Sequence, residues 1–135
     1  MKKLAIVVAF VVLSALQASP LYAGEKLGKL FIKASVATVD GQQFTDQSKE
    51  ESVEDLKSRN SKFVIVDSEK EADYLIVVVE RNRAGNKNEL KATLSSKQNG
   101  QWKPGAGLTG IADTWRLAAR KVMGQANDWV EAQGE

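Results

Sequence analysis

Tyr74-Leu75-Ile76-Val77-Val78-Val79 is six apolar residues in a row, four of them β-branched. Branching at Cβ suits an extended, pleated backbone. A run of this length without polar alternation reads as a central strand covered on both faces. Successive side chains of a strand point to opposite sides. One row is therefore Tyr74, Ile76 and Val78, and the other is Leu75, Val77 and Val79.

The segments on either side supply the rest of a sheet. Lys29 to Val36 alternates, with Leu30, Ile32, Ala34 and Val36 on one face and Lys29, Phe31, Lys33 and Ser35 on the other. Period two predicts a strand. Phe63 to Val66 predicts a short strand, and Asp67 to Ala72 a tight polar connection. Ala84 to Asn88 reads as a hairpin loop, followed by a half-exposed strand in which Leu90, Ala92 and Leu94 alternate with Lys91, Thr93 and Ser95. Asn99-Gly100 is a strong turn signal. Gln101 to Lys103 then predicts a short edge strand stopped by Pro104. Asp40-Gly41 opens a polar loop.

Two segments carry helical period. Ser48-Lys49-Glu50-Glu51 has the form of a capping box. Acidic residues follow in the first turns, where the helix dipole favours them. Val53 and Leu56 form a thin apolar stripe ending near Arg59-Asn60. Ile111, Trp115, Ala118, Val122, Ala126 and Trp129 recur at three- and four-residue steps, one face of a long amphipathic helix. The expected fold is α/β, an α+β two-layer sandwich. It has a mixed sheet of four to five strands with two helices on one face, in the order β-α-β-β-β-(β)-α.

That arrangement leaves one apolar row without a helix. Phe31, Leu75, Val77 and Val79 form the candidate partner interface, since a bare apolar patch on a sheet is commonly a contact surface. The alternative is that the 37–47 loop or the terminal segments fold over it.

The amino terminus predicts an address. Lys2 and Lys3 precede an apolar run from Leu4 to Leu16, and a more polar stretch ends on Ala23. This is the tripartite form of a cleavable signal peptide. The run is shorter than the about 20 residues of a spanning helix. Signal peptidase needs a small residue before the cut. Ala23 and Ala18 both fit, and we place the cut between Ala23 and Gly24. Residues 1–23 are then the signal and residues 24–135 a single small domain, periplasmic or secreted. With no cysteine to carry a lipid, no stable membrane anchor is expected after cleavage.

Composition removes several chemistries. Of the 19 Lys and Arg, two lie in the signal, so the remainder balances the 17 Asp and Glu. A neutral domain gives no compositional reason to expect nucleic-acid binding. The chain has no Cys and no His. Disulfides and the usual zinc, copper, haem and iron–sulfur ligation are therefore excluded.

Four patterns invite a sharper reading. Gly105-Ala106-Gly107-Leu108-Thr109-Gly110 matches G-x-G-x-x-G, but a dinucleotide site needs a strand before it and a second strand after the helix. We read it as a glycine-rich connection into the last helix. Asp67, Glu69, Glu71 and Asp73 alternate like calcium ligands, yet Ala72 and Val78 stand where an EF-hand needs glycine and glutamate. We read a solvated turn. Arg81, Arg83, Lys87 and Lys91 make one hairpin basic, which suits phosphates or, more plainly, a charged exposed edge. Trp115 and Trp129 read as core, and Trp102 as more exposed. No nucleophile–base pair can be named. No cofactor, metal or catalytic residue is expected.

Lys62-Phe63-Val64-Ile65-Val66-Asp67 and Glu71-Ala72-Asp73-Tyr74-Leu75-Ile76 resemble the α/β domains of the TolB amino-terminal and CsgG type. Ala118-Ala119 fits the alanine pair of their long helix. The resemblance implies a small periplasmic interaction domain and carries over no catalytic residue. The expected function is an exported non-enzymatic domain that binds a protein partner or forms a homo-oligomer through the sheet face or an open sheet edge. The alternatives are a small-ligand or divalent-ion binder and a carboxylate-dependent hydrolase.

Overall fold

The run at 74–79 forms the first half of the central strand of a five-stranded sheet. The computed structural model describes residues 26–133. The export signal and its cut between Ala23 and Gly24 lie outside the described residues. Strands β1 (Lys29–Ala34), β4 (Val64–Ile65), β5 (Tyr74–Ala84), β6 (Lys87–Gln98) and β7 (Gln101–Ala112) are ordered β4-β1-β5-β6-β7. β1 is parallel to β4 and β5, and the remaining pairs are antiparallel. Helix α1 (Gln47–Ser58) lies between β1 and β4 in sequence, and α2 (Trp115–Gln133) ends the described chain. Both helices pack on one sheet face, giving the expected α+β sandwich.

Alternation decides what each strand buries. Leu30, Ile32, Ile76, Val78, Leu90, Ala92, Leu94 and Leu108 all point at the helices, and each is at most 2% exposed. They meet Val53 and Leu56 of α1 and Ala118, Val122 and Ala126 of α2. Burying one large aliphatic side chain is worth about 1.5–3 kcal/mol, so this layer supplies most of the driving force. Trp115 and Trp129 pack against its margin.

Several local expectations are corrected. The 37–47 segment is mostly a hairpin, with β2 (Val36–Val39) paired to β3 (Gln42–Thr45) as a separate two-stranded sheet. Asp40 and Gly41 both take positive φ at its tip, as do Asn99 and Gly100 between β6 and β7. Two such residues in succession are the tight turn that a two-residue hairpin requires. The cap of α1 is Asp46 rather than Ser48: its carboxylate accepts from the Ser48 backbone N–H at 2.9 Å. One carboxylate two residues earlier satisfies the orphan donor better than the hydroxyl.

The largest correction concerns residues 103–112. They form no loop and no helix start, but continue β7. Pro104 is tolerated because β7 is an edge strand and because a register shift between Leu94 and Ser95 leaves Gly105 unpaired. Ile111, expected on the helix stripe, pairs with Glu89 in the sheet. The helix instead begins at Trp115, where Thr114 Oγ1 accepts from Leu117 N at 3.1 Å. Two glycines of the G-x-G-x-x-G run, Gly105 and Gly110, serve packing. A Cβ at Gly110 would stand 2.1 Å from the Ala118 carbonyl oxygen, and one at Gly105 would stand 2.9 Å from the Trp129 ring. Bare backbone there lets α2 lie directly on β7.

Candidate interaction surface

The sheet face away from the helices carries the row singled out in the sequence. In the β1–β5 register Phe31 stands beside Leu75, and Lys33 beside Val77. Val79 follows on the same strand at a bulge, where it has no partner on β6. Phe31, Leu75, Val77 and Val79 thus lie together on one face. Further along the same cross-strand rows come Ser95 and Thr93 of β6, then Pro104 and Gly107 of β7. Gly107 adds no side chain, and a Cβ there would meet open space.

These four residues are not equally bare. Leu75 is 7% exposed, while Phe31, Val77 and Val79 are half-buried. The cause is the connection from β4 to β5. β4 and β5 are both parallel to β1 and lie on either side of it, so the chain between them must cross back over β1. It does so on the helix-free face, as a short 3-10 turn at Glu69–Glu71. Glu69 fastens this turn. Its Oε1 accepts from Lys33 Nζ at 3.0 Å and its Oε2 accepts from Trp102 Nε1 at 2.9 Å. Lys97 Nζ donates to the Lys70 carbonyl at 2.8 Å and lies 5.0 Å from the Trp102 ring centre. Lys33 belongs to β1 and Trp102 to β7, so the strap passes over Leu75 between them. The Lys33 hydrogen bond, more than any other contact, holds the Glu69 carboxyl below the usual glutamate range.

The alternating acids of 67–73 therefore have divided duties. Glu69 latches the strap, and Asp73 Oδ2 accepts from Lys29 N at 3.0 Å. Asp67 and Glu71 are exposed. Among the described residues no three carboxylates converge on a point that could hold a metal ion. Trp102, expected to be the exposed tryptophan, is half-buried by the latch. The sequence offers little sign of this contact, because Glu69 and Trp102 are far apart along the chain.

The sheet edges have their own character. β4 is two residues long. β7 is twelve residues long and borders solvent, but α2 stoppers part of it. Gln125 Oε1 accepts from Thr109 N at 2.9 Å and Gln125 Nε2 donates to Thr109 O at 2.6 Å. The side-chain amide pairs as the peptide of a neighbouring strand would. Lys121 Nζ donates to Ile111 O at 2.8 Å. Together with Pro104 and the bulge at Gly105, these are devices that discourage strand addition.

The basic hairpin is reassigned too. None of its four cations is on an edge strand. The bulge at Val79 turns Arg81 to the helix side, where its guanidinium lies 4.1 Å from the Trp115 ring centre and 3.3 Å from Glu51. Lys91 lies 3.7 Å from Glu80, and Lys87 pairs with Asp113. Arg83 is exposed without a carboxylate partner among the described residues.

No helix among the described residues is long and apolar enough to cross a membrane. No family model matches this chain, and a search of curated proteins returns no match.

Proposed function

We propose that the chain is an exported, non-enzymatic interaction domain whose helix-free sheet face binds a protein partner or a second copy. The observation that carries this reading is the shared face of Phe31, Leu75, Val77 and Val79, which no helix covers. Phe31, Val77 and Val79 stay half-exposed there, and apolar side chains left in water on a sheet face are a good surface to dock. The shielding of β7 and the shortness of β4 favour the face over the edge. Export rests on Lys2, Lys3, the apolar run after them and the small residue at Ala23. The similarity of 62–67 and 71–76 to periplasmic interaction domains points to the same compartment.

The test is site-specific photo-crosslinking at Val77 in bacteria that export the full chain, with the intact mass of the product recovered. The expected result is one discrete adduct at Val77, weakened by Val79→Asp, and a product beginning at Gly24. Absence of any adduct at Val77 and at Val79, with a monomer at every concentration, rejects the interaction. A product that keeps Met1 rejects the export.

A further inference from the structure

At the opposite end of β7 from the Asn99-Gly100 turn, the fold gathers charge that the sequence scatters. The β5–β6 turn, the last residues of β7 and the first turns of α2 all meet there. Arg83 is in register with Asn88, and Asn88 with Ala112. Arg116 and Arg120 are one helical turn apart, and Leu117 and Lys121 form the adjoining row. A groove of about 560 Å³ opens between these elements, lined by Lys87, Ile111, Ala112, Leu117, Arg120 and Lys121, with Asp113 at its side. Its volume is that of a site for a small ligand or a short stretch of chain.

Three features describe what would fill it. Ile111 is 41% exposed and Leu117 44%, two of the few large aliphatic side chains that face water. Asp113 is already satisfied by Lys87. Arg120, on the groove wall, has no carboxylate partner among the described residues. An arginine fork matches a carboxylate in two parallel hydrogen bonds. The site is concave, with its aliphatic groups on the walls rather than on a projecting tip, so it suits an inserted side chain more than a flat bilayer.

We infer that this groove is a second binding site, for an acidic peptide segment that places one aliphatic side chain between Ile111 and Leu117 and a carboxylate on Arg120. It shares no residue with the helix-free face, so the two sites stand or fall separately. The bound segment need not extend the sheet, because Lys121 already occupies the Ile111 carbonyl.

The experiment is an amide NMR titration of residues 24–135 with acetylated Glu-Glu-Leu-Glu-Glu, its all-glutamine analogue, and vesicles of phosphatidylglycerol. Saturable shifts confined to 111–121 and the β5–β6 turn are expected with the glutamate peptide. They should be weakened roughly tenfold or more by Arg120→Glu and by Leu117→Asp. Lys103→Glu, at the far end of β7, should leave them unchanged. No saturable shift with the glutamate peptide, equal binding of the glutamine analogue, equal loss with Lys103→Glu, or shifts located elsewhere would overturn the inference. Binding to vesicles without binding to the peptide would overturn it in favour of a membrane surface.

Discussion

The two faces of β5 are built from one uninterrupted apolar run, yet they reach different ends. Ile76 and Val78 are fully buried beneath the helices, while on the other face only Leu75 lies under a latched turn and Val77 and Val79 stay half-buried. Hydrophobicity in a central strand fixes its place in the sheet but not what covers it. Cover on one face comes from continuous helical stripes and on the other from one glutamate and its partners.

Truncating a side chain on each face in turn should separate the two. Leu94→Ala, on the helix side, should cost about 3 kcal/mol in urea denaturation, because a cavity is added to the lost transfer energy. Val77→Ala, on the other side, should cost less than about 1 kcal/mol, because the site is partly in water already. Equal costs would mean that the second face is as closed as the first.

A smaller effect separates two glycines of the same strand. Gly110→Ala should destabilise by about 2–3 kcal/mol, since the new methyl meets the backbone of α2. Gly107→Ala, facing open space, should stay within about 0.5 kcal/mol. A neutral Gly110→Ala would show that α2 sits farther from β7.

The smallest effect sharpens the role of the strap. Glu69→Gln should cost at most about 1 kcal/mol at neutral pH, as befits partly exposed partners. The folded-state pKa of Glu69 is lowered, so its contribution is complete above the usual glutamate range and is lost as pH falls through the lowered value. Stabilities of the parent and Glu69→Gln should therefore converge as pH falls through that lowered value. Trp102 emission should shift with the variant at neutral pH. A stability difference that persists in acid would assign it to something other than the carboxylate.

Period and composition made the helix-facing layer legible. Leu30, Ile32, Leu90, Leu94, Val53, Leu56 and Val122 all lie where alternation or helical spacing puts them. The strands failed where local rules competed with packing. Pro104 and three glycines look like a loop, and only the approach of α2 explains why bare backbone was needed at Gly105 and Gly110. Ile111 fits a helical step by coincidence of spacing, and its pairing with Glu89 decides otherwise. The four interface residues could be placed on one face from β1 and β5 alone. The strap over Leu75 could not, because it follows from parallel pairing on both sides of β1, which no short motif records. The basic end was half legible: the cations of the hairpin were visible, whereas Arg116 and Arg120 join them only through topology.

The amide of Gln125 on Thr109 ties two hazards to a single element. Gln125 and Lys121 both belong to α2, the same helix whose Ala118, Val122 and Ala126 close the core. If that helix lifts, the apolar layer and the unpaired backbone of β7 are bared in the same event. Self-association of this domain would then track the opening of its last helix, a partial excursion, rather than complete unfolding. Conditions that leave the global transition untouched but loosen residues 115–133 should set its shelf life.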